Sequence, residues 1–161
     1  MNPLGLAARI VAAVALLAAL GATFIRKFLV LTIDIQGLAA TSAGATPWRG
    51  TFGLLGCLVV AGGLLLAVVA AVLPTQLSVG RRLVSGLTSV SCVLAIAMFV
   101  LYRAYETNVA IENLDGLGLR FGWSAFVVFG LLVVGMVAGL VGAMLADRPT
   151  APATSAASSR V

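Results

Sequence analysis

Apolar residues run along this chain in four long blocks: Leu4 to Ile25, Thr51 to Leu73, Leu83 to Tyr102 and Trp123 to Ala146. A helix crossing a bilayer needs about 20 predominantly apolar residues, and each block meets that length. The first is interrupted only by Arg9 near its start, from where a long side chain is expected to snorkel to the headgroups. The second contains no charge. The third lies between Arg81–Arg82 and Arg103. The fourth opens on Trp123, a residue suited to the membrane interface, and closes at Asp147–Arg148. The first block also reads as a cleaved signal peptide, with Arg9 as its basic region and Ala19-Leu20-Gly21 supplying small residues at a cleavage site. Its apolar run is long for such a peptide, which favours retention as a span.

The two longer connections change period. In residues 26–50, Leu31, Ile33 and Ile35 interleave with Thr32, Asp34 and Gln36, the period-2 signature of a half-buried strand. Small residues follow from Gly37 to Thr46, and Pro47-Trp48-Arg49 leads into the second span. In residues 103–122, Val109 and Ile111 alternate with Asn108 and Glu112. Asp115-Gly116 offers turn residues, and Leu117, Leu119 and Phe121 alternate with Gly118 and Arg120. That reads as a hairpin. Both connections follow odd-numbered spans and so share one side of the membrane, where about three strands make a sheet more stable than two would be. Pro74 to Arg82 is a short basic turn, and residues 149–161 are an Ala/Ser/Thr/Pro tail with too little apolar bulk to order itself. The expected fold class is mainly α: a four-helix transmembrane bundle over residues 1–148, with a small extracytoplasmic antiparallel β-sheet.

Composition agrees. Hydrophobic residues make up 61% of the 161 and charged residues 9%, against about 25% charged in a soluble domain. The net charge of +5 is scattered singly or in pairs. No basic stripe interleaves with aromatics, which argues against nucleic acid as a partner and suits contact with anionic membrane lipids. Basic residues tie between the two sides: Arg9, Arg81, Arg82, Arg148 and Arg160 against Arg26, Lys27, Arg49, Arg103 and Arg120. The short loop holding Arg81–Arg82, and structured loops on the other face, place the termini in the cytoplasm and the chain in the cell membrane.

Helices associate in lipid through close backbone approach. The fourth span offers Gly135, Gly139, Gly142 and Ala143, and the second offers Gly53, Gly56, Gly62 and Gly63. The first carries an alanine series, and the third has Ser85, Gly86, Ser89 and Ser91, hydroxyls able to bond back to their own helix. These stripes serve either internal packing or an oligomer face, with Gly53, Gly56, Gly135, Gly139 and Gly142 the leading contact positions. Trp48, Tyr102, Tyr105 and Trp123 fall where spans meet the strands, forming either an interfacial belt or a groove beneath the sheet. Cys57 and Cys92 sit in apolar runs and read as small buried residues, a disulfide being the alternative.

Catalytic chemistry has little to stand on. Histidine is absent, and no ionisable residue occupies the middle of a span, where transporters and proton relays place them. Glu106 and Glu112 are six apart in a predicted loop and make a poor catalytic pair. The glycines from Gly116 to Gly122 lack the Lys-Ser/Thr of a phosphate loop. No catalytic, cofactor or metal residues are assigned.

The layout of a span, a strand-bearing loop ending in Pro47-Trp48, two spans joined by a basic turn, the segment Asn108–Phe121, and Gly122-Trp123 opening a glycine-striped last span resembles a claudin-like tetraspan arrangement. It is also similar to small four-span actinobacterial membrane proteins, some of them like accessory subunits of envelope or lipid-uptake complexes. The first loop has no paired cysteines, so claudin function does not carry over. The resemblance implies a non-enzymatic accessory or scaffolding subunit of a cell-envelope complex, whose partners are lipids and another integral membrane protein or a second copy. The alternative is a stand-alone protein that binds or moves lipid or a small molecule through a cavity near Trp48 and Trp123.

Overall fold

The computed structural model describes residues 3–35, 38–74, 77–111 and 117–145. Long apolar blocks give four helices: α1 (Pro3–Ala22), α2 (Thr51–Val72), α3 (Ser78–Ile111) and α4 (Trp123–Met144). All four contain stretches long and apolar enough to cross a membrane. They close into a ring in which α1 packs on α2, α2 on α3, α3 on α4 and α4 on α1. Leu16, Val60, Cys57, Cys92, Val128 and Leu132 fill its centre. Large apolar side chains such as Leu17, Leu58, Val90 and Val133 point outward. An outward face of that kind is stable against hydrocarbon and costly against water.

The sheet has three antiparallel strands, β1 (Leu29–Ile35), β2 (Leu38–Ala45) and β3 (Leu117–Phe121), in the order β2-β1-β3. It lies where α1 ends and α2 begins. β1 is central, running from Leu29 opposite Phe121 to Ile33 opposite Leu117. On its other side the register with β2 shifts between Val30 and Leu31, a β-bulge.

Three strands were expected, but they are distributed differently. The first connection supplies two of them, and the second supplies one. Residues 38–45 are small and have no alternating bulk to signal a strand. They form one by pairing along β1, with Ile35 opposite Leu38, while residues 36 and 37 lie outside the described residues. In the second connection, residues 103–111, including the Val109–Ile111 alternation, continue α3 instead of starting a hairpin. Arg103 marks where the apolar run stops, but a charge does not end backbone hydrogen bonding. The Thr107 hydroxyl donates to the Arg103 carbonyl at 2.7 Å, within the same helix. The helix also starts early: Arg81 and Arg82, assigned to a turn, lie in its first turns. The second and fourth spans start where expected, and the remaining ends of the other three spans differ by one to three residues. Asp115-Gly116 and the 149–161 tail lie outside the described residues.

The sheet is joined to the bundle by phenylalanines. Phe28, fully buried just before β1, packs against Phe99 of α3 (ring centroids 5.0 Å apart), Phe121 of β3 (6.2 Å) and Phe129 of α4 (6.5 Å). Phe121 and Phe129 meet edge-on at 5.1 Å. These tilted and edge-to-face contacts are the geometries aromatic quadrupoles favour.

Candidate functional site

The two ends of the bundle hold their cations in opposite ways. At the end away from the sheet, Arg9 does not snorkel outward. It lies about 9 Å along α1 from Pro3, is 3% exposed, and turns inward. Its Nη2 donates to the Gly142 carbonyl at 3.0 Å and its Nε to the Ser85 hydroxyl at 3.4 Å. Arg81, 4% exposed, donates to the Leu73 carbonyl, and Arg82 donates to the Ala143 carbonyl at 3.2 Å. Two of these carbonyls belong to the last turn of α4 and the third to Leu73, which caps the C-terminus of α2. There, unpaired C=O groups and the negative end of the helix dipole attract cations. The arginines at this end cap neighbouring helices.

At the sheet end, Arg26, Lys27 and Arg49 are exposed. With Gly44, Ala45 and Thr46 they line a cavity of about 380 Å³. Arg26 and Lys27 end the turn after α1, and Arg49 belongs to the 3₁₀ turn Pro47–Arg49 before α2. A Cβ on Gly44 would overlap the Arg26 carbonyl, and one on Gly122 would overlap the Lys27 carbonyl. The Gly122 amide also donates to the Phe28 carbonyl at 2.9 Å. The backbone of the two basic residues is therefore held on both sides by close-passing chain. A second cavity, about 290 Å³, is lined by Val100, Arg103, Ala104, Thr107 and Asn108. Its Arg103 is engaged, donating to the Leu119 carbonyl at 3.3 Å and lying 5.1 Å from the Phe121 ring centre.

The four aromatics do not form one groove. The Trp48 indole N–H donates to the Thr23 hydroxyl at 3.0 Å, and its ring stacks on Phe24 at 4.9 Å. Tyr102 is buried, and its hydroxyl reaches the Thr46 carbonyl at 3.4 Å, so it is a core residue and not part of a belt. Tyr105 is exposed and meets Phe52 at 5.5 Å, while Trp123 is exposed at the start of α4.

All five leading glycines lie inside the molecule. A Cβ would meet the Pro47 backbone at Gly53, the Phe99 ring at Gly56, Cys92 Sγ (3.4 Å) and Leu16 at Gly135, the Ser85 carbonyl (3.1 Å) at Gly139, and the Arg9 side chain (3.1 Å) at Gly142. Gly62 and Gly130, by contrast, face open space. The serines divide. Ser91 donates to its own helix, as expected, at Leu87, whereas Ser89 donates across to the Met136 carbonyl of α4 at 2.9 Å. Cys57 and Cys92 are free, buried thiols. Neither is expected to react with a polar maleimide until the fold is opened with SDS, a difference that mass spectrometry would read directly. Among the described residues no three metal-ligating side chains come together.

The described residues form four helices long and apolar enough to span a membrane, with a small three-stranded antiparallel sheet at one end. Comparison with known proteins finds no family model that matches the chain and no curated protein that matches its sequence.

Proposed function

We propose that this protein is a non-enzymatic accessory or scaffolding subunit of a larger complex in the cell membrane, with its sheet on the outer face and its termini in the cytoplasm. The observation that carries this reading is the outer edge of β2. Among the described residues β3 rests on α3 and α4 as well as on β1, whereas β2 has β1 as its one principal neighbour. Its eight residues, Leu38 to Ala45, include no charge and no proline, the devices by which proteins discourage pairing on an edge. Such an edge can accept an extended segment of another integral membrane protein by strand addition. The five leading glycines pack inside the bundle, which favours the sheet over those glycines as the surface for a partner.

The test is affinity purification in mild detergent of the wild-type chain and of an Ala39→Lys/Ala40→Lys variant. A partner that crosslinks to the wild-type sheet and is lost from the folded variant is the expected result. Recovery of the wild type as a lone monomer, with no crosslinked neighbour, would remove the reading.

A further inference from the structure

We propose that the cavity between Arg26, Lys27 and Arg49 binds the phosphate group of an anionic phospholipid. Three cations converge on one concavity, and none of them makes an ion pair among the described residues. That sets them apart from Arg9, Arg81, Arg82 and Arg103, each of which donates to a backbone carbonyl. Like charges brought together repel, and an anion between them relieves that repulsion while accepting their N–H groups. Arginine suits this role because its planar fork matches phosphate oxygens two at a time.

The site is preorganised where it matters. Gly44 and Gly122 fix the backbone of Arg26 and Lys27 from two sides, and the next residue, Phe28, is anchored in the core. Arg49 follows Trp48, which is tied to Thr23 and Phe24 at the end of α1. The two basic segments are thereby held together across the gap in which the ligand would sit. The volume, about 380 Å³, falls within the roughly 300–1,000 Å³ of small-molecule sites.

A lipid, and not free phosphate, is the source that fits the surroundings. Phe24 and Ile25, exposed to 64% and 36%, immediately precede Arg26. Apolar surface for an acyl chain therefore adjoins the cationic cavity, as at the boundary between hydrocarbon and headgroups. The cavity is lined by Gly44 and Ala45 at the end of β2, away from Ala39 and Ala40, and needs no protein partner.

Native mass spectrometry of the intact chain in detergent, titrated with phosphatidylglycerol or phosphatidylcholine, tests this. Wild type should retain one phosphatidylglycerol in preference to phosphatidylcholine. An Arg26→Gln/Arg49→Gln variant should bind phosphatidylglycerol roughly 25-fold more weakly, at about fivefold per surface cation. Arg103→Gln/Arg120→Gln removes the same charge from the same end of the molecule and should leave binding unchanged. Equal weakening by both pairs would mean a diffuse basic surface and would overturn the proposal. So would displacement of the lipid by an equal concentration of inorganic phosphate, which would make the site one for the free anion. Thermal melts of each variant matching wild type establish that the fold is retained. Should the Arg26→Gln/Arg49→Gln pair fail to fold, Arg49→Gln alone gives the test, with an expected loss of about fivefold.

Discussion

Phe28→Ala is expected to destabilise the protein by about 3–5 kcal/mol, the range for removing a buried phenylalanine. The ring is fully buried and touches three other phenylalanines, from α3, β3 and α4. Its loss opens a cavity where the sheet meets the helices, and no single neighbour can fill it without leaving the others. A melt in detergent micelles, followed by near-UV circular dichroism, would read the loss. Phe121→Ala should cost less, because that ring is only half-buried and lies on a short strand. An unchanged melt for Phe28→Ala would mean that these rings do not pack together in the folded protein.

The second large effect is expected from Gly139→Leu. Here even the first side-chain carbon would lie 3.1 Å from the Ser85 carbonyl oxygen and against the Ser89 hydroxyl. The serine can rotate, but only by giving up its bond to Met136, and the carbonyl belongs to the backbone of α3. Overpacking typically costs about 1–3 kcal/mol and more where backbone must move. Loss of folded protein from the membrane fraction is therefore the expected outcome. Gly130→Leu, on the same helix but facing open space, should express normally. Equal expression of the two variants would show that the α3–α4 contact is not as described.

How much of this was legible beforehand follows from what each signal measures. Apolar block length measures where hydrocarbon can be, so the four helices were readable from composition and length alone. The same signal misplaced both ends of α3, because Arg81–Arg82 and Arg103 mark the limits of apolar sequence and not the limits of a hydrogen-bonded helix. Alternation found β1 and β3, whose faces differ in bulk. It missed β2, whose residues are too small to alternate visibly, and it misread Val109–Ile111, where two apolar residues two apart fit either element. The five leading glycines are all interior, whereas Gly62, read in the same stripe, faces open space. Arg9 was legible as a residue but not as a role, since nothing local shows that the carbonyl of Gly142, 133 positions away, will be waiting for it. The cavity at Arg26, Lys27 and Arg49 joins the two ends of one connection, and it becomes a site only once β2 folds back past Arg26. The phenylalanine cluster left no sequence signal, because its members come from four separate segments.

The unequal lengths of the helices bear on how the molecule would move. At about 1.5 Å per residue, α1, α2 and α4 are each roughly 30–33 Å long, near the thickness of a hydrocarbon core, while the 34 residues of α3 extend to about 51 Å. Gly50, just before α2, sits level with Tyr102 and Glu106, so the last turn of α3 rises past its neighbour beside the strands. With no joint between the embedded and emergent parts of this rod, a change in its tilt is carried directly to β3, and through β3 to the remaining strands. A tilt of this one long helix would then swing the sheet sideways relative to the three shorter helices, like the top of a mast.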